Sequence, residues 1–193
     1  MDAGRARLAE RIAAAQRRLA GIYRLEVPLR AEEFLLSPDS ARQRRPASGP
    51  RTGLLAVEEQ GTLWLGLYFD PRDADDPAAI LEETSHWLAV VWHAAQERPV
   101  SPLLLELQAD VDRYAVARTA RSRDPLRHFG SLRWVPGLPR AARARYRAAH
   151  AAAYRYCRRL ERRYPRRSDL PGLIRELRGF YRRDPGYKLA AGS

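Results

Sequence analysis

A chain of 193 residues that is 45% hydrophobic and 30% charged is long enough to bury one core, short for two, and too apolar for disorder. No apolar run approaches the roughly 18 to 20 residues of a membrane span, the N-terminal MDAGRARLAERIAAAQ lacks a signal-peptide core, and the lone Cys157 excludes an internal disulfide or a cysteine zinc cluster. A single cytoplasmic domain over 1–193 is therefore expected, with Cys157 packed as a small apolar residue. The net charge of +12 is split: residues 1–117 carry 14 Arg against 18 acids, for −4, and residues 118–193 carry 21 Arg and Lys against 5 acids, for +16.

Residues 5–20 place Leu8, Ile12, Ala15 and Leu19 at helical intervals, with Gly21 just past the last of them, which predicts an amphipathic helix. Ile22 to Pro28 suits a short strand, and Arg30–Leu36 reads equally well as a helical turn. The stretch 37–53, rich in Pro, Ser, Gly and Arg, is expected to be a mobile loop. Leu54–Glu58 and Thr62–Phe69 favour strands around a tight turn at Glu59-Gln60-Gly61. Asp70, Asp73, Asp75 and Asp76 lack the alternation and glycine of an EF-hand and read as a solvated acidic turn.

Asp76-Pro77 then offers an N-cap and a first-turn proline to a helix running to about Glu97. Its apolar arc is Ile80, Leu81, Trp87, Leu88, Val91 and Trp92; Glu82, Glu83, His86, His93 and Glu97 share the other arc. After the short loop at 98–102, a helix over Leu103–Ala117 has Leu104, Leu107, Val111 and Tyr114 on its apolar side and Glu106, Asp110 and Arg113 in a polar stripe. So short a loop makes the two helices antiparallel neighbours, a helix pair over 76–121. A loop over 124–139, pinned by Phe129 and Trp134, leads into a helical part over 140–183. There Tyr146, Ala149, Ala153, Tyr156, Cys157 and Leu160 supply the buried face of a helix over 140–164, and a short helix over 170–181 precedes a loose tail. The fold class is α+β, predominantly helical, with a small hairpin packed on the helix pair.

Within the pair, Glu82 and His86 lie one turn apart on one face, and Glu106 and Asp110 repeat that spacing. The pattern E-E-x-x-H-x19-E-x-x-x-D resembles the paired helices of gluzincin metallopeptidases, whose H-E-x-x-H helix is followed by one bearing E-x-x-x-D. The resemblance covers about 30 of the 193 residues. It implies that His86 and Glu106 are metal ligands, Glu83 the general base and Asp110 a residue of the surrounding shell. Here Glu82 replaces the family's first histidine. A Glu82, His86, Glu106 set is harder and more negative, suited as well to Mn or Fe(II) as to Zn. Beside Glu82, Asp110 is a repelling neighbour, which Arg113, one turn on, can relieve. The expected function is that of a metal-dependent hydrolase with one divalent ion, metal-activated water and a Glu general base.

The C-terminal half supports a different reading. Arg155, Arg158, Arg159, Arg162 and Arg163, interleaved with Tyr154, Tyr156 and Tyr164, can bind phosphates and stack on bases. No RNA-recognition, helix-turn-helix or zinc-finger signature accompanies them. Under this alternative the chain is a non-enzymatic binding protein whose basic helices contact nucleic acid or an acidic protein partner. His93 reads as a partly exposed histidine, and His128 and His150 stand isolated in the sequence.

Overall fold

The computed structural model describes residues 3–44, 50–130 and 140–191. The elements run α1 (Ala3–Tyr23), a 3-10 turn (Ala31–Phe34), α2 (Pro38–Arg44), β1 (Gly53–Glu59), β2 (Thr62–Tyr68), α3 (Pro77–Ala94), α4 (Pro102–Thr119), a 3-10 turn (Arg127–Gly130), α5 (Arg140–Arg163), a 3-10 turn (Arg167–Asp169), α6 (Leu170–Arg182) and α7 (Pro185–Ala191). The class is predominantly helical α+β with one two-stranded antiparallel sheet. None of the described helices is long and apolar enough to cross a membrane.

The helix signals act as their chemistry dictates. Asp76 Oδ1 accepts from the Ala78 amide at 2.9 Å, and Pro77 needs no partner at the first helical position. Ser101 caps α4 in the same way through the Leu104 amide at 3.3 Å. Between them Glu97 takes a positive φ of 53°, and the Arg98 amide donates to the His93 carbonyl at 3.0 Å, turning the chain back. Glu82 meets Arg113 whereas His86, one turn later, meets Glu106, so α3 and α4 run antiparallel.

Five features depart from the sequence reading. First, α1 passes Gly21 and ends at Tyr23, with Arg24 at φ 51°, and residues 22–28 form no strand. Its last carbonyls are satisfied across the fold, where Arg178 Nε donates to the Ile22 carbonyl at 2.7 Å and Arg182 Nη2 to that of Tyr23 at 2.9 Å. Second, Pro38–Arg44, within the stretch read as a loop, is the short helix α2, held at its start by Ser37, whose Oγ accepts from the Ser40 amide at 3.1 Å. The part of that stretch at 45–49 lies outside the described residues, as does Trp134. Third, the hairpin turn has two residues, Gln60 (φ 51°) and Gly61 (φ 75°), since Glu59 already pairs with Thr62. Fourth, α3 is buried nearly all round, from Glu83 through Val91 and again at His93, so Glu83, His86 and His93 of the polar arc are buried while Glu82 stays partly and Glu97 fully exposed. Fifth, the tail is helical, and α7 is anchored by a buried Lys188.

One buried cluster joins these parts. Ile12, Leu19 and Tyr23 of α1 meet Trp87 and Leu88 of α3, Leu107, Val111 and Tyr114 of α4, Ala153, Cys157 and Leu160 of α5, and Leu173 and Leu177 of α6. Tyr156 stacks on Phe180 with ring centroids 4.0 Å apart, joining α5 to α6. The sheet is fastened by the Leu36 amide, which donates to the Leu67 carbonyl at 2.8 Å. A Cβ at Gly66 would stand 2.8 Å from the Leu36 side chain, so glycine lets that side chain pack directly on β2.

Candidate metal centre

The antiparallel pair turns Glu82, Glu83 and His86 of α3 toward Glu106, Asp110 and Arg113 of α4. α5 crosses nearby and adds Tyr146 and His150, again one turn apart. All of these except Asp110 line a cleft of about 1110 Å³, which β1 from Gly53 to Ala56 also lines.

Glu82, His86 and Glu106 each offer a ligand atom within 4.8 Å of the others. His86 Nδ1 donates to Glu83 Oε2 at 3.4 Å, while its Nε2 lies 3.7 Å from Glu106 Oε2. That Nε2 is buried and has no hydrogen-bond partner. A buried polar atom without a partner costs about 1–3 kcal/mol, and this one faces a carboxylate set just beyond bonding range. Ligand atoms around one tetrahedral zinc at 2.0–2.2 Å stand about 3.4 Å apart, so a modest closure brings the three onto a common ion. The donor chemistry fits a divalent cation, and the Glu82, His86 and Glu106 group can hold one.

Electrostatics points the same way. Burial opposes a charge on His86, but its bond to Glu83 and the attraction of Glu83, Glu106 and Glu82 prevail and push its pKa up to about 9. Burial raises the Glu106 carboxyl to about 7 against the pull of His86. Glu82 is also raised, by burial first, with Arg113 opposing. The carboxylates are thus crowded and underneutralised, and a dication held there would take the place of the proton on His86.

The surrounding groups are fixed by specific contacts. Arg113 bonds Glu82 through Nη2, and its Nη1 is 3.8 Å from Asp110 Oδ1, so it sits between the two carboxylates. Tyr146 lines the same cleft as Glu106, and burial first, with the nearby Glu106 charge, raises the pKa of its hydroxyl. Asp110 Oδ2 accepts from His150 Nδ1 at 2.8 Å, and His150 Nε2 donates to the Phe129 carbonyl at 3.0 Å. Both His150 partners are acceptors, which holds the ring as an imidazolium, and the bond to Asp110 raises its pKa. His128 Nε2 donates to the Asp110 carbonyl at 3.1 Å. Both histidines that stand alone in the sequence therefore converge on Asp110, and Tyr146, expected in the core, lines the cleft instead. The sequence signal for Tyr146 and His150 was present as an i, i+4 pair on α5, the same spacing as Glu82 and His86.

A second polar cluster lies behind the first. Asp112, fully buried, accepts from Tyr23 at 2.5 Å, Ser85 at 2.6 Å and Gln108 at 2.7 Å. Gln108 Oε1 in turn accepts from Lys188 Nζ at 2.9 Å, and the ammonium lies over the Phe180 and Tyr181 rings. None of these residues stood out in the sequence. His93, expected partly exposed, is 3% exposed, and burial, with Lys188 and Arg98 nearby, lowers its pKa to about 4.

Of the basic residues singled out, Arg155, Arg158, Arg159, Arg162 and Arg163 are exposed on α5. Arg159 lies over the Tyr156 ring, and Arg163 Nη1 pairs with Glu176 at 3.2 Å.

No protein-family model, curated protein or solved structure matches this chain.

Proposed function

We propose that the chain is a metal-dependent hydrolase resembling a divergent gluzincin, with a Zn, Mn or Fe ion held by Glu82, His86 and Glu106. The observation that carries this reading is the buried, unpartnered Nε2 of His86 beside Glu106 on the wall of a cleft. A divalent ion supplies polarisation of a substrate carbonyl and a water acidic enough to react near neutral pH.

The protein's own groups then have distinct roles. Glu83 orients His86 through Nδ1, so that Nε2 is the ligating nitrogen, and it lines the cleft as the base that takes the proton of the attacking water. Arg113 fixes Glu82 while offsetting its repulsion with Asp110, and Tyr146 lines the cleft beside Glu106. Asp110 and the His150 imidazolium tie α4 to α5 at the edge of the site.

A pair of substitutions separates the two roles of Glu83. Gln still accepts a bond from Nδ1 but is no base, whereas Ala does neither. Protein loaded with Zn, Mn or Fe(II) is assayed on quenched fluorogenic peptides and nitrophenyl esters. Metal-dependent cleavage that vanishes in Glu83→Gln with the metal retained supports the proposal. Absence of cleavage by every loaded form, or full activity in Glu83→Gln, contradicts it.

A further inference from the structure

α5 presents opposite faces to different surroundings. At about 100° per residue, Arg140, Arg147, Arg155, Arg158 and Arg162 fall within about 80° of arc and extend for about 33 Å. All five are exposed. Ala149, Ala153, Tyr156 and Leu160 occupy the opposite, buried side. The helix has one acid, Glu161, and it is turned inward, where it accepts from the Tyr114 hydroxyl at 2.8 Å and pairs with Arg118 at 3.0 Å. The outer face is thus a run of guanidinium groups with no carboxylate of its own helix among them. Elsewhere arginines serve the fold, as when Arg5 donates to the Leu36 carbonyl at 2.7 Å or Arg118 to that of Tyr164 at 2.6 Å. Arg158 and Arg162 differ, since neither forms an ion pair among the described residues.

We propose that this outer face of α5 binds nucleic acid by its phosphate backbone, without reading sequence. Planar guanidinium forks suit phosphate oxygens, and a row about 33 Å long lies across several phosphates. Tyr154, 37% exposed beside the row, offers a ring on which a base can stack. The other polyanions fit less well. A helix lying on an anionic membrane inserts an apolar face beside its basic one, and the apolar face of α5 is already spent on the core. An acidic protein partner requires apolar anchors at the centre of the contact, whereas between the arginines stand Ala144 and Ala151. This surface is separate from the metal centre, and the proposal stands whether or not the hydrolase reading does.

The test is fluorescence anisotropy with a labelled mixed-sequence DNA of about 20 nucleotides, single-stranded and as duplex, over about 50–300 mM salt. Wild type is compared with Arg155→Gln/Arg158→Gln/Arg162→Gln and with a control of equal charge change at exposed sites elsewhere, Arg7→Gln/Arg17→Gln/Arg44→Gln. Wild type is expected to bind. The α5 triple variant should bind at least about tenfold more weakly and lose about 2 from the salt slope, since each phosphate contact contributes roughly 0.7–0.9. The control should change by less than about threefold. If circular dichroism shows the Gln triple to be unfolded, the Lys triple at the same positions replaces it, and its retained salt-dependent binding supports a backbone contact while its loss overturns it. The proposal is also overturned if wild type fails to bind at the lowest salt, if both Gln triples lose equally, or if phosphatidylserine vesicles or polyglutamate bind as tightly as DNA.

Discussion

The same two helices build two buried polar clusters with opposite balance. Behind α3 and α4, Asp112 is one carboxylate facing three donors, and the chain from Lys188 through Gln108 closes the set. Beside the cleft, Glu82, Glu83 and Glu106 crowd one imidazole whose Nε2 bonds nothing. The first cluster is more deeply buried and complete within the protein, whereas the second leaves carboxylates crowded around one imidazole, an imbalance that a bound cation would relieve. A buried network is worth keeping for stability only when its members are satisfied. The incomplete cluster is therefore where function is to be sought, and the complete one is what holds α1, α3, α4 and α7 in register beneath it.

That contrast can be broken from either side. Removing the hub of the complete cluster gives the largest effect: Asp112→Ala strands three donors and should cost about 3–5 kcal/mol in urea unfolding. Glu83→Ala, which leaves the His86 ring without its orienting acceptor, should weaken metal binding about 10–100-fold by calorimetry, while Glu83→Gln stays within a few-fold.

The pH dependence of metal affinity follows from the proton that must leave. With His86 at about 9 and Glu106 at about 7, affinity should rise about tenfold per pH unit between 7 and 9, and more steeply below 7, where a second proton is displaced. A flat profile would mean that neither group is a ligand.

The pKa of Lys188 is shifted in the opposite direction, downward. Burial lowers its pKa to about 8 in the folded chain, so from pH 8 to about 10.5 the unfolded state holds more protons and folding is favoured as pH rises, by at most about 1.4 kcal/mol per unit. Below pH 8 that contribution is lost. Lys188→Met should lack this rise when compared with wild type in the same buffers. The smallest change is expected in the incomplete cluster without metal, where Glu106→Gln removes a crowded carboxylate and should alter unfolding stability by no more than about 1 kcal/mol.

Helices α1 and α3 to α6, the hairpin and the facing of α3 on α4 were legible because each is marked locally, by Asp76-Pro77, by the short loop at 98–102, by Gln60-Gly61 and by apolar spacing, whereas α2 and α7 carry no such apolar stripe and read as loop and tail. Glu82, His86 and Glu106 were legible for the same reason, since i, i+4 spacing and one short loop fix their neighbourhood. What escaped depends on distant segments. Asp112 lies two residues past Asp110 and looks like a solvated acid until Tyr23 and Lys188 arrive from the two ends of the chain. His150 gains meaning only when α5 crosses α4 at Asp110. The polar arc of α3 resembled an exposed face because periodicity reports which residues share a side, not what covers it.

Elemental analysis of the purified, untagged protein after incubation with Zn, Mn and Fe(II) and removal of free ions tests the central claim most directly, with His86→Ala, Glu106→Ala and Asp112→Asn measured in parallel. About one equivalent of metal in wild type and in Asp112→Asn, lost from both the His86 and Glu106 variants, is the predicted result. No metal in wild type, or metal retained by both ligand variants, would contradict it.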